Sequence, residues 1–117
     1  MTLCILSVGD ARLANGGAPN QGRVEIYVNG SWSTICGYWF GYDEARVVCR
    51  QLGLPAPSRV YHYEIPFGSG NGSTLTQPYN CQGNESSVLN CTKVGVNHGC
   101  YPRDIGISCG PPVLAGE

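Results

Sequence analysis

Between Gly22 and Val28 apolar and polar residues alternate, the period-two pattern of a strand with one buried face. Asn29-Gly30 follows, a dipeptide suited to the positive φ that a type I′ turn needs at both central positions. Alternation resumes from Ser31 to Cys36, so the pattern predicts a β-hairpin. The period then changes. Ala45, Val48, Cys49 and Leu52 fall at i, i+3, i+4 and i+7, which predicts a helix over Asp43–Gly53 with one apolar stripe facing a sheet. Asp43 is the expected N-cap, Glu44 suits the positive helix end, and Gly53 suits the left-handed C′ position. Pro55 and Pro57 break the helix beyond that point. Phe67–Gly72 is glycine-rich but lacks the Gly-Lys-Ser/Thr ending of a phosphate loop, and reads as a turn. Glu85–Leu89 has room for about one helical turn. Asp104–Cys109 reads as a last strand, and Gly110-Pro111-Pro112 as a domain exit.

Composition narrows the class. At 117 residues the chain has the length of one small domain. Only 13% of residues are charged, which argues against disorder driven by charge and against a long ion-paired surface helix. The net charge of −1 leaves no electrostatic footprint for nucleic acid. Leu3–Val8, the longest apolar run considered, is far shorter than a membrane span, so no membrane insertion by this chain is expected. Seven cysteines are dense for this length. From Cys36 their intervals are 13, 32, 10, 9 and 9, with no C-x-x-C pair, so a disulfide framework is the better reading than a zinc site. Cys49 lies on the helix stripe, where a disulfide would pin the helix to another element. Asn29, Asn71, Asn84 and Asn90 each open an N-x-Ser/Thr sequon, which agrees with an oxidising, extracellular setting, secreted or cell-surface.

Several motifs occur in order: Gly22-Arg-Val-Glu25, Gly30-Ser-Trp32, Ala45-x-Val-Val-Cys-Arg-Gln-Leu-Gly53, Phe67-Gly-x-Gly-x-Gly72, Cys81-x-Gly-x-Glu85, Leu89-x-x-Cys91 and Asp104-x-Gly-x-x-Cys109. Together they resemble a scavenger receptor cysteine-rich (SRCR) domain, from about Arg12 to Cys109. The resemblance implies an α+β fold: a small disulfide-stapled domain whose curved antiparallel β-sheet cradles one α-helix. Residues 11–110 would form the domain, with 1–10 an N-terminal extension or linker and 111–117 a C-terminal linker or tail. Asn20 and Leu54 stand where the eight-cysteine form carries its extra pair, so the chain is similar to the six-cysteine form. Spacing alone leaves 15 pairings of six cysteines open. The resemblance implies Cys36–Cys100, Cys49–Cys109 and Cys81–Cys91, and leaves Cys4 free or paired outside the domain.

The resemblance also implies a non-catalytic binding module. His62 and His98 lack a triad context, and Asp43 with Glu44 is more simply a helix start. Many members hold a divalent cation, usually Ca²⁺, in an acidic cluster that bridges to anionic ligands. The corresponding positions here are Gly37, Tyr38, Gln77 and Arg103, none of which supplies a carboxylate, so no cofactor or metal is expected there. Arg103, assisted by Arg46 or Lys93, would instead take a sulfate, phosphate or carboxylate directly. Tyr38 and Trp39 offer exposed stacking surfaces, whereas Phe40 holds the family's core tryptophan position. The strand around Arg23 and Glu25 resembles the segment through which some mucosal members bind bacteria. Expected ligands are an anionic polysaccharide, lipopolysaccharide or a protein, taken by one part of a larger multidomain receptor of innate-immune type. A protein-binding or spacer domain in a mosaic extracellular protease or adhesion receptor is the alternative.

Overall fold

The computed structural model describes residues 5–37, 39–62, 66–70, 72–76, 78–94 and 104–111. The expectations placed on Cys4, Tyr38, Asn71, Gln77, His98, Cys100 and Arg103 lie outside the described residues.

The expected hairpin is β2 (Gln21–Val28) and β3 (Ser31–Ile35), paired from Glu25↔Thr34 to Val28↔Ser31. Its turn has φ of 53° at Asn29 and 80° at Gly30, as a type I′ turn requires. Two strands escape the period-two pattern. β1 (Ala11–Ala18) pairs antiparallel with β2, but its register shifts between Ala14 and Ala18. Asn15 and Gly17 there take positive φ, so a bulge breaks the alternation. β4 (Pro57–Tyr61) begins on a proline, which is tolerated because β4 is a sheet edge. β8 (Gly106–Cys109) starts two residues later than expected, though the Ile105 carbonyl still accepts the Val24 N–H at 2.9 Å.

The main sheet runs β4-β8-β2-β3-β5, with β5 (Thr74–Leu75) parallel to β3 and the other pairs antiparallel. Glu25 pairs with both Arg12 and Thr34, and Gln21 with both Ala18 and Ser108. β1 therefore covers one side of β2, while β3 and β8 share the other and diverge from it like a fork. A second, two-stranded sheet joins β6 (Tyr79–Asn80) to β7 (Thr92–Lys93).

Helix α1 spans Tyr42–Gln51. Asp43 is not its N-cap. Gly41 holds that position, and Glu44 reaches back to accept the Gly41 N–H at 2.7 Å while its second oxygen accepts the Cys81 N–H at 2.7 Å. One buried carboxylate thus starts the helix and ties it to the next layer. At the other end Gly53 has φ of 71°, its N–H reaches the Arg50 carbonyl, and the Leu54 N–H reaches that of Cys49. These are the two bonds of a Schellman stop. Ala45, Val48 and Cys49 are fully buried as the stripe predicts, and Val47 is buried with them in the core. The core is completed by Val24, Ile26, Ile35, Phe40, Val88, Ile105 and Ile107. The short turn expected at Glu85–Leu89 is a 3-10 helix at Val88–Asn90 instead. The Glu85 carboxylate accepts the N–H groups of Gln82 and Gly83, which closes residues 82–85 into a separate turn.

Candidate functional site

Arg23 and Glu25 are expected at a ligand surface, but the structure places both inside, at 6% and 5% exposure. Glu25 Oε2 accepts Arg23 Nε at 3.0 Å, and Oε1 accepts Arg12 Nε at 2.7 Å from the paired strand. Arg23 Nη1 donates to the carbonyls of Phe67 at 2.8 Å and Gly68 at 3.1 Å. Arg12 lies over the Trp32 ring at 4.3 Å, and Trp32 meets Tyr27 edge-on. The pair therefore fastens the glycine-rich loop to the back of the sheet, and neither group is available to a ligand.

That loop leaves an opening where β3 and β8 diverge. A cleft of about 190 Å³ is lined by Thr34, Ser69, Gly70, Gly72, Thr74 and Asp104. The Thr34 and Thr74 hydroxyls bond to each other at 2.9 Å, and Asp104 Oδ1 accepts the Gly70 N–H at 3.3 Å. Sequence reasoning misses this cleft, because its residues come from three distant segments. The one available sign is Arg23-x-Glu25, two opposite charges on one face of a strand.

The remaining candidates lie elsewhere. Trp39 is 53% exposed and Tyr42 is 54% exposed, while Phe40 is buried as its position implies. Trp39 has φ of 71°, left-handed backbone that a bulky residue rarely adopts. The turn is held by the Phe40 N–H to the Gly37 carbonyl at 3.0 Å and by His62 Nε2 on the Phe40 carbonyl. Arg46 and Lys93 are both exposed, on α1 and β7, and no described contact joins them. Arg50, exposed one turn after Arg46, donates to the Glu85 carbonyl at 2.6 Å. Asn29, Asn84 and Asn90 are exposed, and Asn90 Nδ2 bonds the Ser86 hydroxyl at 2.8 Å.

Cys49–Cys109 pins α1 to β8, and Cys81–Cys91 closes the segment that covers the helix, both as the resemblance implies. Cys36 is also disulfide-bonded. Among the described residues Cys81, Glu85 and Cys91 place donor atoms within 4.8 Å of one another. With both sulfurs in a disulfide, that group has no thiolate to offer a metal. Backbone N–H bonding, chiefly from Gln82, lowers the Glu85 pKa, and burial raises that of Tyr79.

A curved sheet cradling one helix and stapled by disulfides defines a small disulfide-bonded α+β domain. The family match agrees: the scavenger receptor cysteine-rich domain covers residues 14–110, and the chain belongs to that family. It is 39% identical over 103 residues to Galectin-3-binding protein of Rattus norvegicus and 40% identical to that of Bos taurus. Those alignments cover 86% of this chain but only 18% of each relative. The chain is thus similar to under a fifth of a longer protein. Among solved structures, the third SRCR domain of murine neurotrypsin superposes with a TM-score of 0.76 at 36% identity, covering 89% of this chain and 96% of that one. The SRCR domain of mouse MARCO, in a dimeric form, superposes with a TM-score of 0.61 at 33% identity, covering 77% and 86%. SRCR domains are extracellular, non-enzymatic binding modules of scavenger receptors and other multidomain proteins. No helix among the described residues is long and apolar enough to cross a membrane.

Proposed function

We propose that this domain is the ligand-recognition module of a larger secreted or cell-surface receptor, taking polyanionic microbial or host ligands without a bound cation. What supports this reading is chemical: by the family resemblance, Gly37, Tyr38, Gln77 and Arg103 align with the positions of the cation-holding acids, and none of the four is an acid. At Gly37, Tyr38 and Arg103 the exchange of three acids changes the formal charge from −3 to +1, and Gln77 removes a fourth acid. An arginine fork takes sulfate, phosphate or carboxylate directly. Arg46 and Lys93, exposed and without a described partner, are its candidate helpers. The unit runs from residue 11 to 110, and Asn29, Asn71, Asn84 and Asn90 carry glycans in the mature protein.

Binding of heparin or lipopolysaccharide, measured with chelator present throughout, tests the reading. It should persist in chelator, weaken as salt rises, and fall more in Arg103→Glu than in Arg59→Glu. Arg59 is the proper control, being exposed and, among the described residues, stacked on Tyr61, whereas Arg12 is tied to buried Glu25. Equal losses would reduce the effect to bulk charge. No binding by the unaltered chain would favour a protein partner instead. That second reading has its own support in Trp39, an exposed aromatic kept in strained backbone, since strain persists where surrounding structure or function demands it.

A further inference from the structure

We infer that the loop closed by Cys81 and Cys91 is a redox-gated zinc site. Once that disulfide is reduced, the two sulfurs and the Glu85 carboxylate hold the ion.

The fold brings the three donors together, since Cys81 Sγ, Cys91 Sγ and a Glu85 carboxylate oxygen lie within 4.8 Å of one another. A tetrahedral zinc, with Zn–S of about 2.3 Å and Zn–O of about 2.0 Å, keeps its ligand atoms roughly 3.5–3.8 Å apart. Small side-chain rotations bridge that difference. The Glu85 carboxylate is oriented by the N–H groups of Gln82 at 2.9 Å and Gly83 at 3.0 Å, as a ligating carboxylate needs. While the sulfurs are bonded to each other the site is closed. After reduction two thiolates and a carboxylate repel one another, and a dication offsets that charge. Calcium is a poor match, because two of the three donors are sulfur. Zinc takes thiolate and carboxylate together and leaves its fourth position to water.

Reduction reaches this disulfide first. Cys49 and Cys109 are at 0% exposure and Cys36 is at 1%, whereas Cys81 and Cys91 are at 4% and 6%. Gln82, Asn90 and Thr92 beside them are exposed. Cys81–Cys91 spans 10 residues of sequence against 60 for Cys49–Cys109, so opening it frees less of the unfolded chain. The loop also has a frame that does not depend on the disulfide. The Cys81 N–H reaches Glu44 Oε2 at 2.7 Å, and the Cys91 N–H reaches the Val88 carbonyl at 3.0 Å. β6 and β7 pair directly outside the two cysteines, and Arg50 holds the Glu85 carbonyl at 2.6 Å. The sulfurs therefore stay close after they part. A dithiol supplies the two electrons and becomes a disulfide, while Cys81 and Cys91 take up its two protons as thiols. Zinc displaces those protons when it binds.

The test uses the intact chain with any thiols present at the outset blocked. Limiting dithiothreitol, then alkylation and peptide mapping, should label Cys81 and Cys91 before any other cysteine. The amide signals of Val24, Ile26 and Ile107 should survive that reduction. After anaerobic removal of the dithiol, one equivalent of Co²⁺ should give thiolate-to-cobalt charge-transfer absorbance and the intense visible bands of a tetrahedral ion, and Zn²⁺ should bleach both. The oxidised chain should stay colourless. Zn²⁺ added before the alkylating reagent should protect Cys81 and Cys91, a readout that needs no variant. Glu85→Gln keeps an acceptor for the two N–H groups but removes the charge, and should weaken cobalt binding about tenfold or more. First labelling at Cys36, Cys49 or Cys109, loss of the core signals on reduction, no coloured complex, or no protection by zinc would overturn the site. Unchanged affinity in Glu85→Gln would overturn the carboxylate as its third ligand.

Discussion

Glu25 is a carboxylate clasped between two guanidinium groups and roofed by a glycine. Its neighbours in sequence suggest a solvated position, because Arg23, Glu25 and Tyr27 form the polar half of an alternating strand. In the fold Arg23 and Glu25 are buried as well, since Arg23 draws the Phe67–Gly68 carbonyls down over them. Breaking such a pair leaves a buried charge without a counterion. Glu25→Gln should therefore destabilise the domain by about 3–5 kcal/mol, measured by urea or thermal unfolding. A loss within the range of a surface salt bridge, under about 1 kcal/mol, would show that water reaches the pair. The charges themselves are legible in the sequence. Their burial is not, because the covering loop lies more than forty residues further along.

At the scale of elements, the hairpin and the helix stop follow local chemistry, and both appear as expected. Asn29-Gly30 supplies its own backbone geometry, and so does Gly53. The helix start behaves differently. Asp43 has the favoured chemistry for a cap, yet Glu44 performs the task because its second oxygen meets the Cys81 N–H across the helix interface. A tertiary contact selects between two adjacent acids. Glu44→Ala would leave two N–H groups without their acceptor at a buried site and should cost about 2–4 kcal/mol, whereas Asp43→Ala should cost under about 1 kcal/mol. Denaturant melts of the two variants check the ranking, and equal losses would return the cap to Asp43. β1 and β4 escape a sequence reading for a related reason. A bulge with Gly17 in one and two prolines around the start of the other hide the alternation, and both are ordered by pairing with β2 and β8.

For the whole molecule, the described disulfides lie within the core and add a covalent constraint to its packing. In the chain-entropy view Cys49–Cys109 contributes roughly 4 kcal/mol and Cys81–Cys91 roughly 3 kcal/mol, comparable to the stability of a small domain. Calcium adds nothing to that sum if the cation-holding acids are absent. Millimolar Ca²⁺ should leave the melting temperature unchanged, because only a ligand that binds the folded state raises it. A reproducible rise reversed by chelator would reveal oxygens outside the four substituted positions. The sequence by itself determined the family, the hairpin, and the helix with its C-terminal stop. Each of these is written in residues close along the chain, or in an ordered set of motifs. The tertiary structure alone decided that Arg23 and Glu25 face inward, that Glu44 caps the helix, and that Thr34, Thr74 and Asp104 meet around one cleft. The reason is that burial and proximity depend on which distant segment covers a residue. Here one face of β2 shares the apolar core with α1, and the other lies under a glycine-rich loop.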